Sequence, residues 1–293
     1  MTRVACVGEA MIELSMEKDL AQVGVAGDTL NTAIYLHRTA PDIEIDYVTC
    51  LGDDPFSDRI ANFIEAQGLG TSRIRRLEGR APGIYAINTS DSGERSFTYW
   101  RRDSAASRLF QIGNAFDFSS LEGYDLIYFS AITLAILPDH VRQGLKTWLE
   151  AHPVKVAFDS NYRPRLWESP QVARTTIVDF WARADILLPS IDDEMDLHGE
   201  SAEAVTARFV SHSGQGALKR GDQGPLSLGS VVEDTYAPAS SVVDTTAAGD
   251  SFNGGYLGAL LSGQDQKAAL QAGHDLAARV VGYRGAIMPM ATG

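Results

Sequence analysis

The sequence predicts an α/β fold, in which helices flank a mostly parallel central sheet and a small β lid is inserted. Two observations predict it. Short apolar runs that suit buried strands alternate with segments whose apolar residues recur at helical spacing, which is typical of parallel sheets covered on both faces. Residues 82–101 instead alternate at period two around a Ser-Asp-Ser-Gly turn, which predicts a β-hairpin. A length of 293 residues suits one such domain over residues 1–293.

Composition and charge argue against several classes of protein. The formal net charge of −13 disfavours a nucleic-acid or acidic-membrane partner, so an anionic ligand would need a local cluster of Arg and Lys. Cys6 and Cys50 lie in apolar runs, which predicts reduced core thiols rather than a disulfide or a metal site. The amino terminus lacks the apolar region of a signal peptide, and no run approaches the roughly 18 apolar residues of a membrane span. We therefore expect a cytoplasmic protein.

The first half of the chain supplies two predicted strands, each followed by a helix. Residues 4–8 and 45–52 are apolar runs that close on glycine. Asp28 is the predicted N-cap of the first helix, and the second helix has Asp54 at the N-cap with Pro55 at the first helical position. Only one glycine follows the first strand. The absence of G-x-G-x-x-G disfavours a dinucleotide-binding enzyme.

The alternation of strands and helices resumes near residue 120. Residues 124–131, 154–159 and 184–190 are predicted strands, with an acidic turn at residues 191–199 and an extended stretch at residues 232–243. Ser169 is the predicted N-cap of a helix, with Pro170 at its first position. In parallel sheets, ligands bind beyond the carboxyl ends of the strands. We therefore expect one crevice to receive four polar strand ends, at residues 159–163, 190–194, 219–221 and 244–250.

Residues 244–261, DTTAAGDSFNGGYLGALL, have the composition of an anion site that leads into a helix. Small residues at Ala247, Ala248 and Gly249 leave room for a phosphate near the backbone, and the helix is predicted to begin near Asp250. The unpaired N–H groups and the dipole of a helix N-terminus favour an anion. Asp250 would stand beside that anion as a base. The alternative is a helix N-cap after a tight turn.

Two further groups of polar residues are candidates for a binding site. Asp28 and Asn31 are three residues apart, so both can face one space from the first turn of a helix; the alternative is a cap beside a solvated Asn. Tyr85, Tyr99 and Arg101 belong to the predicted hairpin, which could present them over a cleft. The alternative there is ordinary strand aromatics and a solvated Arg.

Several motifs resemble one known family. The segment DTTAAGDSFNGGYLGAL resembles the carboxyl-terminal signature of the ribokinase-like (PfkB) carbohydrate kinases, and AGDTLN resembles their sugar-binding motif. GEAMIELS, GERSFTYWR, FDSNYRPRLW and YRGAIMP resemble the branch of that family that acts on a 2-keto-3-deoxy sugar acid. The resemblance spans nearly the whole chain. It implies a ribokinase-like fold and ATP-dependent phosphorylation of 2-dehydro-3-deoxy-D-gluconate at its 6-hydroxyl.

The resemblance also implies a role for individual residues. Asp250 matches the general base, and Ala247, Ala248 and Gly249 match the anion hole for the γ-phosphate, although the family has glycine where Ala247 stands. Arg163 matches the arginine that faces the carboxylate of the sugar acid. The other implied contacts are Gly27, Asp28, Asn31, Tyr85, Tyr99 and Arg101 for the sugar, Asn161, Ser190, Lys219, Gly221 and Gly224 for the nucleotide, and Asp193 and Glu194 for the metal through water.

The implied cofactors are ATP and Mg²⁺, with a monovalent cation such as K⁺ expected near Asp244 and Thr246. The lid is expected at roughly residues 10–17 and 82–103, and relatives with such lids pair them in homodimers. Two alternatives stay open. One is a fructokinase-like sugar kinase of the same superfamily, and the other is a sugar-binding regulator that has kept the scaffold without the chemistry.

Overall fold

The computed structural model describes residues 2–17, 20–89, 95–113 and 115–289, which form a layered α/β structure. The strands are β1 (Arg3–Val7), β2 (Met11–Glu17), β3 (Leu20–Ala26), β4 (Glu44–Leu51), β5 (Ile74–Arg76), β6 (Ile84–Thr89), β7 (Arg95–Trp100), β8 (Gln111–Ile112), β9 (Ala115–Phe116), β10 (Leu126–Ser130), β11 (Lys155–Asp159), β12 (Ile186–Leu188), β13 (Gln215–Leu218) and β14 (Leu226–Leu228). The helices are α1 (Asp28–Thr39), α2 (Pro55–Ala66), α3 (Ala131–Ile136), α4 (Asp139–Ala151), α5 (Pro170–Arg183), α6 (Ile191–His198), α7 (Ala202–Val210), α8 (Ala248–Leu261) and α9 (Gln266–Val280).

The central sheet has the strand order β14-β13-β12-β11-β10-β1-β4-β5. Every neighbouring pair is parallel except β13 and β14, which are antiparallel. Successive residues of β10 point to opposite faces, because Ile127 and Phe129 belong to one buried cluster while Leu126 and Tyr128 belong to the other. The sheet is therefore covered on both sides, and the predicted α/β fold is confirmed.

A second sheet of four strands, in the order β3-β2-β6-β7, lies apart from the central sheet. The predicted hairpin is confirmed as β6 and β7, which pair antiparallel from Ile84 opposite Trp100; residues 90–93 of its turn lie outside the described residues. β2 pairs parallel with β6 and antiparallel with β3. The small sheet contains β2, β6 and β7, which fall in the lid predicted at residues 10–17 and 82–103, and also β3, whose Gln22 and Gly24 weaken the strand signal.

The structure confirms two of the predicted helix starts. The Asp54 carboxylate accepts hydrogen bonds from the backbone N–H groups of Phe56 and Ser57, and Pro55 begins α2. These bonds satisfy donors that have no partner inside the helix, which stabilises such a terminus by about 1 kcal/mol. Local residue types were sufficient to locate this helix start, as they were for the Ser169 cap of α5.

Three local predictions are wrong or shifted. Gly27 is the N-cap of α1, so Asp28 is the first residue of that helix and its carboxylate is free for other contacts. α8 begins at Ala248, two residues before Asp250. The acidic segment predicted as a turn is helix α6, because its apolar residues pack on the sheet.

Helix α8 lies between α1 and α9, and glycine allows the close approach. A Cβ atom on Gly254 would lie 2.5 Å from Cβ of Tyr35, and one on Gly255 would lie 2.9 Å from the carbonyl oxygen of Ala272 in α9. A side chain at either position would therefore separate the helices. The contact places the amino termini of α1 and α8 side by side at the carboxyl edge of the sheet.

Both cysteines are buried and free, as the sequence predicts. Cys6 lies in β1 and Cys50 lies in β4, so each thiol belongs to the core of the central sheet. Burial raises the pKa of the Cys50 thiol to about 11, which keeps it protonated and unreactive. In the described parts of the chain, no helix has both the length and the apolar character that crossing a membrane requires.

Candidate active site

A cleft of about 1620 Å³ opens at the carboxyl edge of the central sheet, with residues of the small sheet forming part of its wall. Of the site residues that the sequence predicts, only Glu194 does not line it. The predicted residues that line the cleft are Gly27, Asp28, Asn31, Tyr85, Tyr99, Arg101, Asn161, Arg163, Ser190, Asp193, Lys219, Gly221, Gly224, Ala247, Ala248, Gly249 and Asp250.

Asp250 lies in the first turn of α8, next to the first turn of α1. Asn31 Nδ2 donates a hydrogen bond to Asp250 Oδ2 at 2.8 Å, and Thr32 Oγ1 donates to the backbone oxygen of Asp250 at 3.2 Å. Burial raises the pKa of Asp250 well above its ordinary value, and the negative charge of Asp28 raises it further, while the Asn31 bond opposes both. A carboxylate in this state accepts a proton more readily than an ordinary aspartate, as a general base must.

The backbone before Asp250 forms a turn with unused N–H groups. Ala247 has φ 60°, a left-handed conformation that costs a non-glycine residue about 1–2 kcal/mol. The N–H group of Ala248 donates to the carbonyl oxygen of Thr245 at 3.2 Å, whereas those of Gly249 and Asp250 donate to no described residue. Unused donors at a helix N-terminus can bind an anion.

Lys219 lies beside this turn and adds a positive charge to it. Its Nζ atom would be 3.7 Å from a Cβ atom placed on Gly249, so nothing large separates the ammonium group from the backbone donors. Lys219 Nζ also donates to Asp159 Oδ1 at 2.8 Å and to Asn253 Oδ1 at 3.2 Å, and these two bonds fix its position. The resemblance assigns Lys219 to the nucleotide, and its position suits a phosphate.

The Asp28 carboxylate faces the cleft from the first turn of α1. Its Oδ2 atom accepts hydrogen bonds from Asn161 Nδ2 at 2.8 Å and from the Ser130 hydroxyl. The structure therefore brings Asn161, which the sequence groups with the nucleotide, to the side of the cleft predicted for the sugar. The negative charge of Asp28 beside Asp250 is also one cause of the raised pKa of Asp250.

Arg163 lines the cleft just after β11 and forms an ion pair with Asp193, with 3.2 Å between Nη1 and Oδ1. The Arg163 side chain is 53% exposed, so the pair is open to solvent and to a competing anion. Asp193 Oδ2 accepts a hydrogen bond from the Ser160 hydroxyl at 3.2 Å. Burial raises the pKa of Asp193, and the nearby Arg163 guanidinium opposes that rise.

Glu194 does not face the cleft, which corrects its prediction as a metal residue. Its carboxylate is buried and accepts hydrogen bonds from Trp181 Nε1 at 3.0 Å and from Arg208 Nη1 at 2.9 Å. Consecutive helical residues point about 100° apart, so a helix that turns Asp193 to the cleft turns Glu194 to the core. Among the residues that the structure describes, no group of three or more His, Cys, Asp or Glu side chains is arranged to hold a metal ion.

The small sheet contributes two stacked tyrosines and an arginine to the cleft. The rings of Tyr85 and Tyr99 stack with centroids 5.6 Å apart, and the Tyr85 hydroxyl donates to the Glu13 carboxylate. Tyr85 is buried whereas Tyr99 is half exposed. Arg101 forms an ion pair with Glu9 in the cleft wall. The aromatic pair offers a flat apolar surface to one side of a bound ligand.

Sequence reasoning did not single out several residues that line the cleft. Glu9 follows a strand of the parallel sheet, so the rule about strand ends would have found it. Arg102 and Arg165, which lie near the predicted residues Arg101 and Arg163 in sequence, were also not predicted. Among the described residues, six Arg and Lys side chains line the cleft: Arg101, Arg102, Arg163, Arg165, Lys219 and Arg220. Six described carboxylates line it as well, so the cleft is less acidic than the chain as a whole, and these Arg and Lys side chains are the groups that could bind an anion.

Asp244 lies in the segment before the anion turn and is almost fully buried. Its Oδ1 atom accepts hydrogen bonds from the N–H and the hydroxyl of Thr246, and its Oδ2 atom accepts one from the N–H of Gly285. These bonds hold residues 244–246 in place immediately before α8. A monovalent cation near Asp244 and Thr246 stays a prediction.

The chain is similar to known carbohydrate kinases along its whole length. The model of the "pfkB family carbohydrate kinase" matches residues 1–292. A protein named 2-dehydro-3-deoxygluconokinase from Dickeya dadantii (strain 3937) is 41% identical, over 98% of this chain and 97% of its own; the protein of that name from Escherichia coli (strain K12) is 39% identical over the same shares. The solved aminoimidazole riboside kinase from Salmonella enterica, complexed with aminoimidazole riboside and an ATP analog, has a TM-score of 0.81 at 23% identity, over 97% of this chain and 94% of that one. This last likeness shows a shared fold.

The raised pKa of Asp250 predicts a pH-dependent stability. Between about pH 4, where an unfolded aspartate titrates, and the raised pKa, the folded chain holds a proton that the unfolded chain has released, so wild-type stability falls as pH rises. Asp250→Asn carries no such charge. We expect it to raise the melting temperature at about pH 8 by roughly 2–4 °C, and by less at about pH 4. Asp179→Asn, on the outer face of α5, is the control; an equal gain for Asp250→Asn at both pH values would contradict the prediction.

Proposed function

The chain belongs to the pfkB family of carbohydrate kinases, and from this premise we propose that it transfers the γ-phosphoryl group of ATP to the 6-hydroxyl of 2-dehydro-3-deoxy-D-gluconate. The observation that carries the choice of sugar is the 41% identity, over nearly the full length of both chains, to a relative named for this substrate. The Arg and Lys side chains that line the cleft support it, since both the sugar acid and ATP are anions.

Asp250 is the proposed general base. Its carboxylate takes the proton of the 6-hydroxyl as the oxygen of that group bonds to the γ-phosphorus and the bond to the β-phosphate oxygen breaks, so that ADP leaves. The raised pKa of Asp250 makes its deprotonated form a stronger proton acceptor than an ordinary carboxylate, which supports this role at pH values where the carboxylate is ionised. Asn31 holds the carboxylate in position through its 2.8 Å hydrogen bond.

The turn before Asp250 is the proposed site for the transferred group. The N–H groups of Gly249 and Asp250 and the ammonium of Lys219 can all face the γ-phosphate, where negative charge gathers in the transition state. Their positions are set by the fold before any ligand arrives. Preset donors lower the barrier because no reorganisation is needed at the moment of reaction.

Arg163 is the proposed partner of the sugar carboxylate. Its guanidinium can bind a carboxylate through two parallel hydrogen bonds, which a neutral ketohexose cannot accept in the same way. The ion pair with Asp193 supports the proposal, because it shows that a carboxylate oxygen already fits 3.2 Å from this guanidinium. Asp28 and Asn31, in the first turn of α1, and Asn161, which donates to Asp28, supply polar atoms for the sugar hydroxyls.

ATP and Mg²⁺ are the proposed cofactors. Gly221 has φ 58° with open space around its α-carbon, so the loop after Lys219 can approach a nucleotide closely. Asp193 fits a metal contact through water only, because Arg163 and Ser160 already pair with its two oxygens. The bound metal ion would neutralise charge on the phosphates.

A substrate panel tests the proposed function. The purified protein is incubated with ATP, MgCl₂ and each of several sugars, and ADP release is measured. We expect the highest kcat/KM with 2-dehydro-3-deoxy-D-gluconate. Faster turnover of fructose would favour a fructokinase-like enzyme, and no ADP release with any sugar would favour a regulator without kinase chemistry.

Asp250→Asn tests the assignment of the base. We expect kcat to fall by on the order of 10²–10⁴-fold while the dissociation constant of the sugar changes little, because a base acts in the transition state. The matched control is Asp179→Asn, which makes the same change at a residue paired with Lys146 outside the cleft. Near-normal turnover of Asp250→Asn would rule out the assignment.

Arg163→Ala tests the carboxylate contact. We expect KM for the sugar acid to rise roughly 10- to 100-fold, as befits a lost hydrogen bond between charged groups, with a much smaller change for any neutral sugar that is turned over. Lys146→Ala removes a positive charge far from the cleft and serves as the control. Equal losses for acidic and neutral sugars would show that Arg163 does not bind the carboxylate.

A further inference from the structure

Glu9 is a buried carboxylate in the wall of the cleft, with a relative exposure of 1%. It lies in the three-residue link between β1 of the central sheet and β2 of the small sheet. Its carboxylate forms an ion pair with Arg101, the residue that follows β7. The pair therefore joins the edge of the central sheet to the far strand of the small sheet.

Two glycines enclose Glu9 and leave no room for it to move. A Cβ atom on Gly83 would lie 2.7 Å from Glu9 Oε1 and 3.0 Å from Cβ of Arg101, and one on Gly27 would lie 2.3 Å from the backbone oxygen of Glu9. Gly83 precedes β6, and Gly27 follows β3. The ends of all four strands of the small sheet thus lie close to Glu9, and those of β6 and β7 lie close to its carboxylate.

The ion pair restrains Arg101 more strongly than an exposed pair would. The Arg101 side chain is only 10% exposed, and among the described residues neither oxygen of Glu9 accepts a hydrogen bond from another group. Each charge therefore depends on the other, because an unpaired charge at this depth is costly. A guanidinium has five N–H donors in a rigid fork, so those that Glu9 does not engage keep a fixed direction.

We propose that Glu9 is a positioning residue for the sugar: it fixes the Arg101 guanidinium so that the remaining N–H groups of Arg101 meet an oxygen of the bound sugar. The proposal rests on the proposed function only in taking the ligand to be a sugar. It differs from the role of Arg163, whose half-exposed side chain can exchange one carboxylate for another. Glu9 touches no substrate and acts only through Arg101.

A double-mutant cycle tests whether Glu9 acts through Arg101. Wild type, Glu9→Gln, Arg101→Met and the double variant are compared for sugar KM, kcat and KM for ATP. We expect each single change to raise sugar KM on the order of 10- to 100-fold, with KM for ATP unchanged. The double variant should be no worse than Arg101→Met alone. Losses that multiply in the double variant, or an equal rise in KM for ATP, would overturn the proposal.

Asp46→Asn separates positioning from general stability. Asp46 is also a buried carboxylate in an ion pair, with Arg3, but it lies in β4 near the amino edge of the sheet. We expect it to lower the melting temperature and to leave sugar KM unchanged. If Glu9→Gln does not fold, Glu9→Asp, which keeps the charge and withdraws the carboxylate by one methylene, replaces it in the cycle with the same two outcomes.

The substrate panel keeps this proposal separate from the proposed function. If wild type turns over a sugar other than 2-dehydro-3-deoxy-D-gluconate, the proposed substrate is wrong and the cycle is run on the sugar that is used. If wild type turns over the proposed sugar but the losses multiply, only the role of Glu9 is wrong.

Discussion

The close approach of α1 and α8 is the constraint on which the cleft depends. Glycine in α8 lets the two helices meet backbone to backbone, and the contact brings their amino termini together above the central sheet. Asn31 and Asp250 can then form their 2.8 Å hydrogen bond although 219 positions separate them in sequence. Two positive helix ends also lie near Asp28 and Asp250, where they offset part of the repulsion between the carboxylates.

A buried hydrogen-bond network between α8 and the central sheet stabilises this arrangement. Asn253, one turn after Asp250, donates to Asp159 Oδ2 at 2.8 Å and to the Tyr128 hydroxyl at 3.1 Å, and Lys219 bonds to the same Asp159. The network ties the ends of β10, β11 and β13 to α8. Tyr128 and Asn253, which do not line the cleft, therefore help to fix the position of residues proposed to bind the ligand.

Sequence reasoning predicted the fold, and all but one of the residues that it proposed for catalysis, sugar, nucleotide and Mg²⁺ line the cleft, because strand ends and small-residue turns depend on local composition. It failed where a residue type suits two positions in the structure and only tertiary packing decides between them. Asp28 and Asp250 suit a helix N-cap, but tertiary contacts place both elsewhere in the first turn. Glu194 and Asp193 have similar local chemistry, and only the packing of α6 decides which of them faces the cleft. The ion pairs of Arg101 and Arg163 join distant segments, so no local pattern could predict them.

The position of α8 late in the chain has a consequence for biosynthesis. The buried face of α1 packs against α8, so a nascent chain that has not yet reached Ala248 leaves that apolar face uncovered. Contacts between segments so far apart form slowly, and exposed apolar surface favours aggregation in the meantime. The ribosome must therefore release the residues of α8 before the cleft can assemble, and a stop codon ahead of Ala248 would remove Asp250 together with part of the core.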